Sequence, residues 1–146
     1  MNGLVDDELR ALINVKIGSP GRNNATEIAV WIDTAFNGSL VLPDAMVDSL
    51  ELPQQSTAEA ILADGKKVEL ATFGCDIEWF GKSYVTQITT NASEYGLLGT
   101  MLLKDRKLAV DYKAKSVTSK SKRFPILFEE TQKQIETRDI CYLSNT

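Results

Sequence analysis

Apolar and polar residues alternate with a period of two through most of the first 118 residues. Ala11, Ile13, Val15 and Ile17 alternate with Leu12, Asn14, Lys16 and Gly18, the pattern of a strand with one buried face. Ser19-Pro20-Gly21-Arg22-Asn23-Asn24 interrupts it with turn-forming residues, and Ile28, Val30 and Ile32 then alternate with Glu27, Ala29 and Trp31. The spacing predicts a hairpin. A short apolar run, Ser39-Leu40-Val41-Leu42, predicts a third strand, and Pro43 to Leu50 a short helix with Pro near its start and an acid in its first turn. Thr57–Ala63 and Lys66–Phe73 flank Asp64-Gly65, which predicts a second hairpin closed by a type I′ turn. Cys75-Ile77-Trp79, Tyr84 to Thr90 and Leu108-Val110-Tyr112 continue the alternation, with a turn at Phe80-Gly81-Lys82 and a short helix at Thr100–Lys104. About seven short strands so closely spaced predict an all-β barrel or sandwich. The order of elements in 12–50 is weakly echoed in 68–104, without matching residues.

The chain has 146 residues, a length that suits one domain, or one domain with an appended tail. From Ser119 onward the pattern changes: a polar, basic run leads into 125–135, which has the spacing of an amphipathic helix. The expected division is therefore an N-terminal segment 1–10, a barrel domain 11–118 and a polar, partly helical tail 119–146. Five basic residues between 113 and 123 offer a nucleic-acid patch. A lysine-protected strand edge accounts for them better, and a net charge of −4 adds no general attraction to nucleic acid or membranes. The start of the chain lacks the apolar core of a signal peptide, and Gly96–Leu103 is too short to span a bilayer. A cytoplasmic protein with neither nucleic-acid nor membrane partners is expected.

Candidate chemistry is narrowed most by a single zero: there is no histidine. Ser-His-Asp and Cys-His nucleophilic sites, histidine general bases and histidine-ligated zinc are excluded. Ser39 and Ser93 have no base to activate them. Cys75 and Cys141 do not form a CxxC pair and read as buried thiols or one disulfide. Attention falls on Ala29-Val30-Trp31-Ile32-Asp33-Thr34-Ala35-Phe36-Asn37-Gly38-Ser39, where an acid ends a strongly apolar strand. A carboxylate in such a place is costly unless it is hydrogen-bonded or put to use. Trp31, Trp79 and Phe80 read as packing residues.

Together these segments resemble the retroviral-type (retropepsin-like) aspartic proteases, particularly the small prokaryotic members. Ile32-Asp33-Thr34-Ala35-Phe36-Asn37-Gly38 is similar to their Asp-Thr-Gly-Phe-Asn-Gly catalytic loop. The Asp64-Gly65 hairpin stands where the substrate-covering flap is found. Leu97-Leu98-Gly99 and the residues after it resemble the apolar-apolar-Gly motif and its helix, and Leu108–Tyr112 the closing strand. The resemblance covers about residues 11–117.

It implies a closed, single-lobed β-barrel acting as a homodimeric aspartic endopeptidase on peptide or protein substrates, with no cofactor and no metal. Asp33 is then the catalytic residue, one from each chain, and Thr34 and Ala35 support its loop. Phe36, Asn37, Ala63, Asp64, Gly65 and Lys66 line or cover the substrate cleft. Two carboxylates so close cannot both ionise cheaply, so they share a proton; one activates water while the other donates to the peptide carbonyl. Ala35 departs from the pattern, because the family has Gly there and a methyl group beside the carboxylate disfavours positive φ. The alternative is a catalytically weak or inactive dimeric β-barrel that binds extended peptides. The strands Leu12–Ile17 and Leu108–Val117 are expected to present free edges to the partner.

Overall fold

A computed structural model describes residues 1–121 and the backbone of 141–143. The described residues form the strands β1 (Asn2–Val5), β2 (Ala11–Gly18), β3 (Thr26–Ile32), β4 (Leu40–Pro43), β5 (Gln54–Leu62) and β6 (Lys67–Trp79). There follow β7 (Lys82–Asn91), β8 (Gly96–Leu98), β9 (Arg106–Asp111), β10 (Ser116–Ser121) and β11 (Cys141–Leu143). A single α-helical turn and a half, α1 (Asp44–Ser49), follows β4, and a 3-10 turn, Thr100–Leu103, follows β8. The expected tail helix over 125–135 lies outside the described residues. No helix among the described residues is long and apolar enough to cross a membrane.

The strands run in the order β11-β5-β6-β7-β4-β8-β3-β2-β1-β10-β9, and a further pairing of β6 with β2 closes six of them, β2, β6, β7, β4, β8 and β3, into a barrel. Closure follows from the alternation. Ile13, Val15, Ile17, Val30, Leu40, Leu42, Ile77, Ile88 and Leu98 all point inward and are almost wholly buried, so each strand needs neighbours on both sides to hide one face. Cys75 lies among them as a free thiol, and burial pushes it up to about 11. Trp79 fills the end of the core and donates its indole N–H to the carbonyl of Leu102 at 2.9 Å, which fastens the 3-10 turn to the barrel.

The structure is an all-β barrel, as the spacing predicts, with several local differences. β6 is one continuous strand of 13 residues rather than two, since Gly74 remains in the ladder opposite Gln87. The Asp64-Gly65 turn is not type I′: Gly65 has φ +84° while Asp64 is absent from the residues of positive φ. Gly65 N–H bonds the Leu62 carbonyl and Leu62 N–H bonds the Lys66 carbonyl, so the tip is a type I turn closed by a glycine bulge. The type I′ geometry occurs instead at Phe80 (φ 52°) and Gly81 (φ +74°).

β1 and β10 are additions to the pattern. Gly3 lies against the backbone of Leu12, where an added Cβ would stand 2.0 Å from a carbonyl oxygen, so only glycine lets β1 approach β2 this closely. Because β1 pairs with β2, and β2 also pairs with β3 and β6, Leu12–Ile17 is an interior strand and not a free edge. Among the described residues β9 pairs only with β10 and ends the sheet.

Candidate active site

Asp33 stands at the end of β3, directly after Ile32 turns into the core. β3 runs parallel to β8 with Val30, Trp31 and Ile32 opposite Gly96, Leu97 and Leu98. β4, the strand after the loop, pairs with the other side of β8. The loop 33–39 therefore leaves one neighbour of β8 and returns on the other. This arrangement fixes it from both sides. Asp33 N–H bonds the Leu98 carbonyl at 3.0 Å, and Gly99 N–H bonds the Ser39 carbonyl at 2.8 Å. Thr100 N–H bonds the Phe36 carbonyl at 2.8 Å, and Met101 N–H bonds that of Gly38 at 3.2 Å. The loop also closes on itself: Ala35 N–H donates to Asp33 Oδ1 at 2.9 Å and Phe36 N–H to the Asp33 carbonyl at 3.2 Å.

Gly99 is needed by this packing. A Cβ there would lie 2.1 Å from the Gly38 carbonyl oxygen and 2.6 Å from the Phe36 ring, so the loop would have to move. Leu97 and Leu98 are both buried, but on opposite sides. Leu98 belongs to the barrel core, whereas Leu97 joins Phe36 and Val41 in a second cluster under the loop. Phe36, expected to line the cleft, is only 2% exposed. Its ring holds the loop down onto Leu97 and Val41 instead. Thr34, Ala35 and Asn37 are exposed beside Asp33, which is itself half-buried. Ala35 is not among the residues of positive φ, so its methyl group imposes no backbone strain.

A cleft of about 150 Å³ opens at Asp33, lined by Trp31, Ile32, Asp33, Thr34 and Leu97. Trp31 packs against the Phe36–Val41–Leu97 cluster, as expected of it, and also walls the cleft. Its place in the wall follows from strand parity, because Ile32 faces the core and residues 31 and 33 therefore face outward together. Arg10 braces this wall. Its guanidinium lies 4.1 Å from the Tyr95 ring centre and 5.9 Å from that of Trp31, and it donates to the Tyr95 hydroxyl at 3.1 Å. Asp6 holds Arg10 through Nε at 2.7 Å. The Arg10 backbone N–H first, and then its guanidinium, keep the Asp6 carboxyl below the usual carboxylate range.

Ala63, Asp64, Gly65 and Lys66 are all exposed at the tip of the β5–β6 hairpin. Lys66 N–H caps the turn on Asp64 Oδ1 at 3.0 Å. The cleft lining comes from β3, the loop and β8, with no residue from the hairpin. The structure thus brings residues 33–38 and 97–99 into one unit and leaves the hairpin tip as a separate projection.

No protein-family model matches the chain, and neither does any curated protein sequence. Solved structures do match. The protease of EIAV, complexed with the inhibitor HBY-793, is 24% identical, with 68% of this chain and 90% of that one covered and a TM-score of 0.49. The simian foamy virus (mac) protease, a solution structure, is 14% identical, with 62% and 91% covered and a TM-score of 0.42. The closed six-stranded barrel observed here, with very few helical residues, is the all-β, single-lobed, retropepsin-like fold expected from the sequence.

Proposed function

We propose that the protein is an aspartic endopeptidase of the small prokaryotic retropepsin-like type, active as a homodimer. The observation that carries this is the position of Asp33: a half-buried carboxylate at a strand end, in a loop tied to β8 from both sides and bordering a cleft walled by Trp31, Ile32, Thr34 and Leu97. Such a loop can hold a carboxylate rigidly, which is what general acid–base chemistry on a positioned water requires. A dyad needs a second carboxylate, and the region that echoes this one carries Thr89-Thr90-Asn91 instead. A two-fold axis beside the loop supplies the missing acid at no further cost in sequence, because the same loop arrives from the second chain. With Asp33 of each chain side by side, one proton is shared; the ionised carboxylate takes a proton from water and the protonated one donates to the scissile carbonyl.

Each remaining residue has a role consistent with its place. The exposed Thr34 hydroxyl is free to meet the partner's loop, Leu97, Leu98 and Gly99 anchor the loop from beneath, and Asn37 flanks it. The β5–β6 hairpin, with Ala63 to Lys66 at its tip, closes over an extended substrate and excludes water. An apolar row leads away from the cleft: Trp31 pairs in register with Leu12, and Leu12 with Leu4, which is 53% exposed. This outward face suits burial against a second copy. Incubation with unstructured polypeptides across the acid-to-neutral range tests the assignment. Cleavage that is bell-shaped in pH and lost in Asp33→Asn is expected. Undiminished cleavage by Asp33→Asn contradicts it, and binding of peptides without cleavage by the native protein points to the inactive binding barrel.

A further inference from the structure

The hairpin that would cover the cleft does not join the barrel through an unbroken ladder. Gln54 pairs with Phe73 but Ser56 with Thr72, so Gln55 is an extra residue and a bulge interrupts the β5–β6 pairing at its base. Thr72 takes over there. The residue is 1% exposed, and its hydroxyl accepts the Ser56 N–H at 3.3 Å while donating to the Ser56 carbonyl at 3.1 Å. One side chain thus bonds both backbone groups of Ser56 at the level of the bulge. Gln87, on β7, donates Nε2 to Thr72 Oγ1 at 2.7 Å and to Ser56 Oγ at 3.0 Å. The backbone of Gln87 then leads to the catalytic loop: its carbonyl accepts from Ser39 Oγ at 2.9 Å, and Thr86 Oγ1 donates to the same Ser39 hydroxyl at 3.0 Å. Ser39 is buried and ends the Asp33 loop, where its carbonyl receives the Gly99 N–H.

We propose that Thr72, steadied by Gln87, is a positioning residue: the pin of a hinge that sets the angle of the β5–β6 hairpin relative to the Asp33 loop. This rests on the hairpin being the substrate cover. A ladder of backbone bonds would make the hairpin one stiff extension of the barrel. A bulge bridged by side-chain bonds confines bending to one level and lets two residues, Thr72 and Gln87, decide the resting position.

Thr72→Val removes the hydroxyl at constant shape, Thr72→Ser keeps it, and Gln87→Met removes the second pair of bonds from an exposed position. Amide hydrogen exchange on the full chain is the first readout. Protection of amides 57–62 and 67–71 is expected to fall about tenfold in Thr72→Val and Gln87→Met, while β2, β3 and β8 keep theirs and Thr72→Ser stays near native. For hydrolysis of an extended peptide, KM is expected to rise several-fold with kcat changing less. Unchanged hairpin protection, or an equal loss throughout the barrel, overturns the hinge. If the native protein cleaves no peptide, the protease reading fails, and the exchange measurement still decides the hinge.

Discussion

The loop that follows Asp33 and the hairpin tip Ala63–Lys66 are both short chain reversals between strands, yet they are held in opposite ways. Four backbone bonds tie the loop and its end to Leu98, Gly99, Thr100 and Met101, and Phe36 pins it from below. Among the described residues, Ala63–Lys66 is bonded within its own turn, with Gly65 in open space and Lys66 capped on Asp64, and β11 joins the hairpin beside it at Ala60–Leu62. Chemistry that needs fixed geometry belongs in the first, and a part that must move aside belongs in the second. Rigidity at Asp33 and freedom at the hairpin tip are therefore encoded by which backbone groups find partners across the barrel and which find them next door.

Substitutions can break this contrast from either side. The largest effect is expected for Asp33→Asn, which keeps the loop's shape but removes the ionisable group: peptide hydrolysis should fall by about 10²–10⁴-fold or more with the circular dichroism spectrum unchanged. Gly99→Ala should come next. Its methyl group meets the Gly38 carbonyl at 2.1 Å, so unfolding experiments in urea should show a loss of about 3 kcal/mol and activity should drop as the loop is displaced. Gly65→Ala meets nothing within 4 Å and is strained only by its φ of +84°, so a cost of about 1 kcal/mol is expected, confined to the hairpin. Equal losses from the two glycine substitutions would erase the distinction between the anchored loop and the free tip.

Smaller effects sharpen it. Ala35→Gly should leave kcat/KM equal or modestly higher, because Ala35 has no positive φ to relieve. A large loss would mean that the alanine shapes the site. The brace on Trp31 should respond to pH with a definite sign. Asp6 titrates below the ordinary aspartate value in the folded chain, so its contribution is complete above that ordinary value and is lost as pH falls through the lowered one. In an Asp33→Asn background, the Trp31 indole resonance should accordingly shift in the acid range, and should not do so once Asp6→Asn is added.

Much of this was legible in the chain. Strand parity locates β2 and β3, a short apolar run locates β4, and an acid ending an apolar strand singles out Asp33. The rest depends on distant partners. β1 is hidden because its order comes from Gly3 fitting against Leu12 and from register with residues 116–118. β10 is mostly serine, threonine and lysine by sequence, yet Val117 and Ser119 are buried by strands more than a hundred residues away. Phe36, which the resemblance places in the cleft, has the burial of a core residue. The Asp64-Gly65 pair announced a reversal but not its type, since both turn classes place glycine at positive φ. Arg10, Thr72 and Gln87 carry no local signal; their importance appears only when Trp31, Tyr95 and Ser56 arrive beside them.

The central claim is that Asp33 from two chains makes one site, and mixing chains tests it most directly. A fixed amount of native protein is allowed to exchange subunits with an equal amount of Asp33→Asn chains, and peptide hydrolysis is then measured. Random pairing leaves only native–native dimers with two intact carboxylates, so activity should fall to about half, and further with more variant. Activity that stays constant at every ratio, with subunit exchange verified by mass, would show that a single chain carries the complete site.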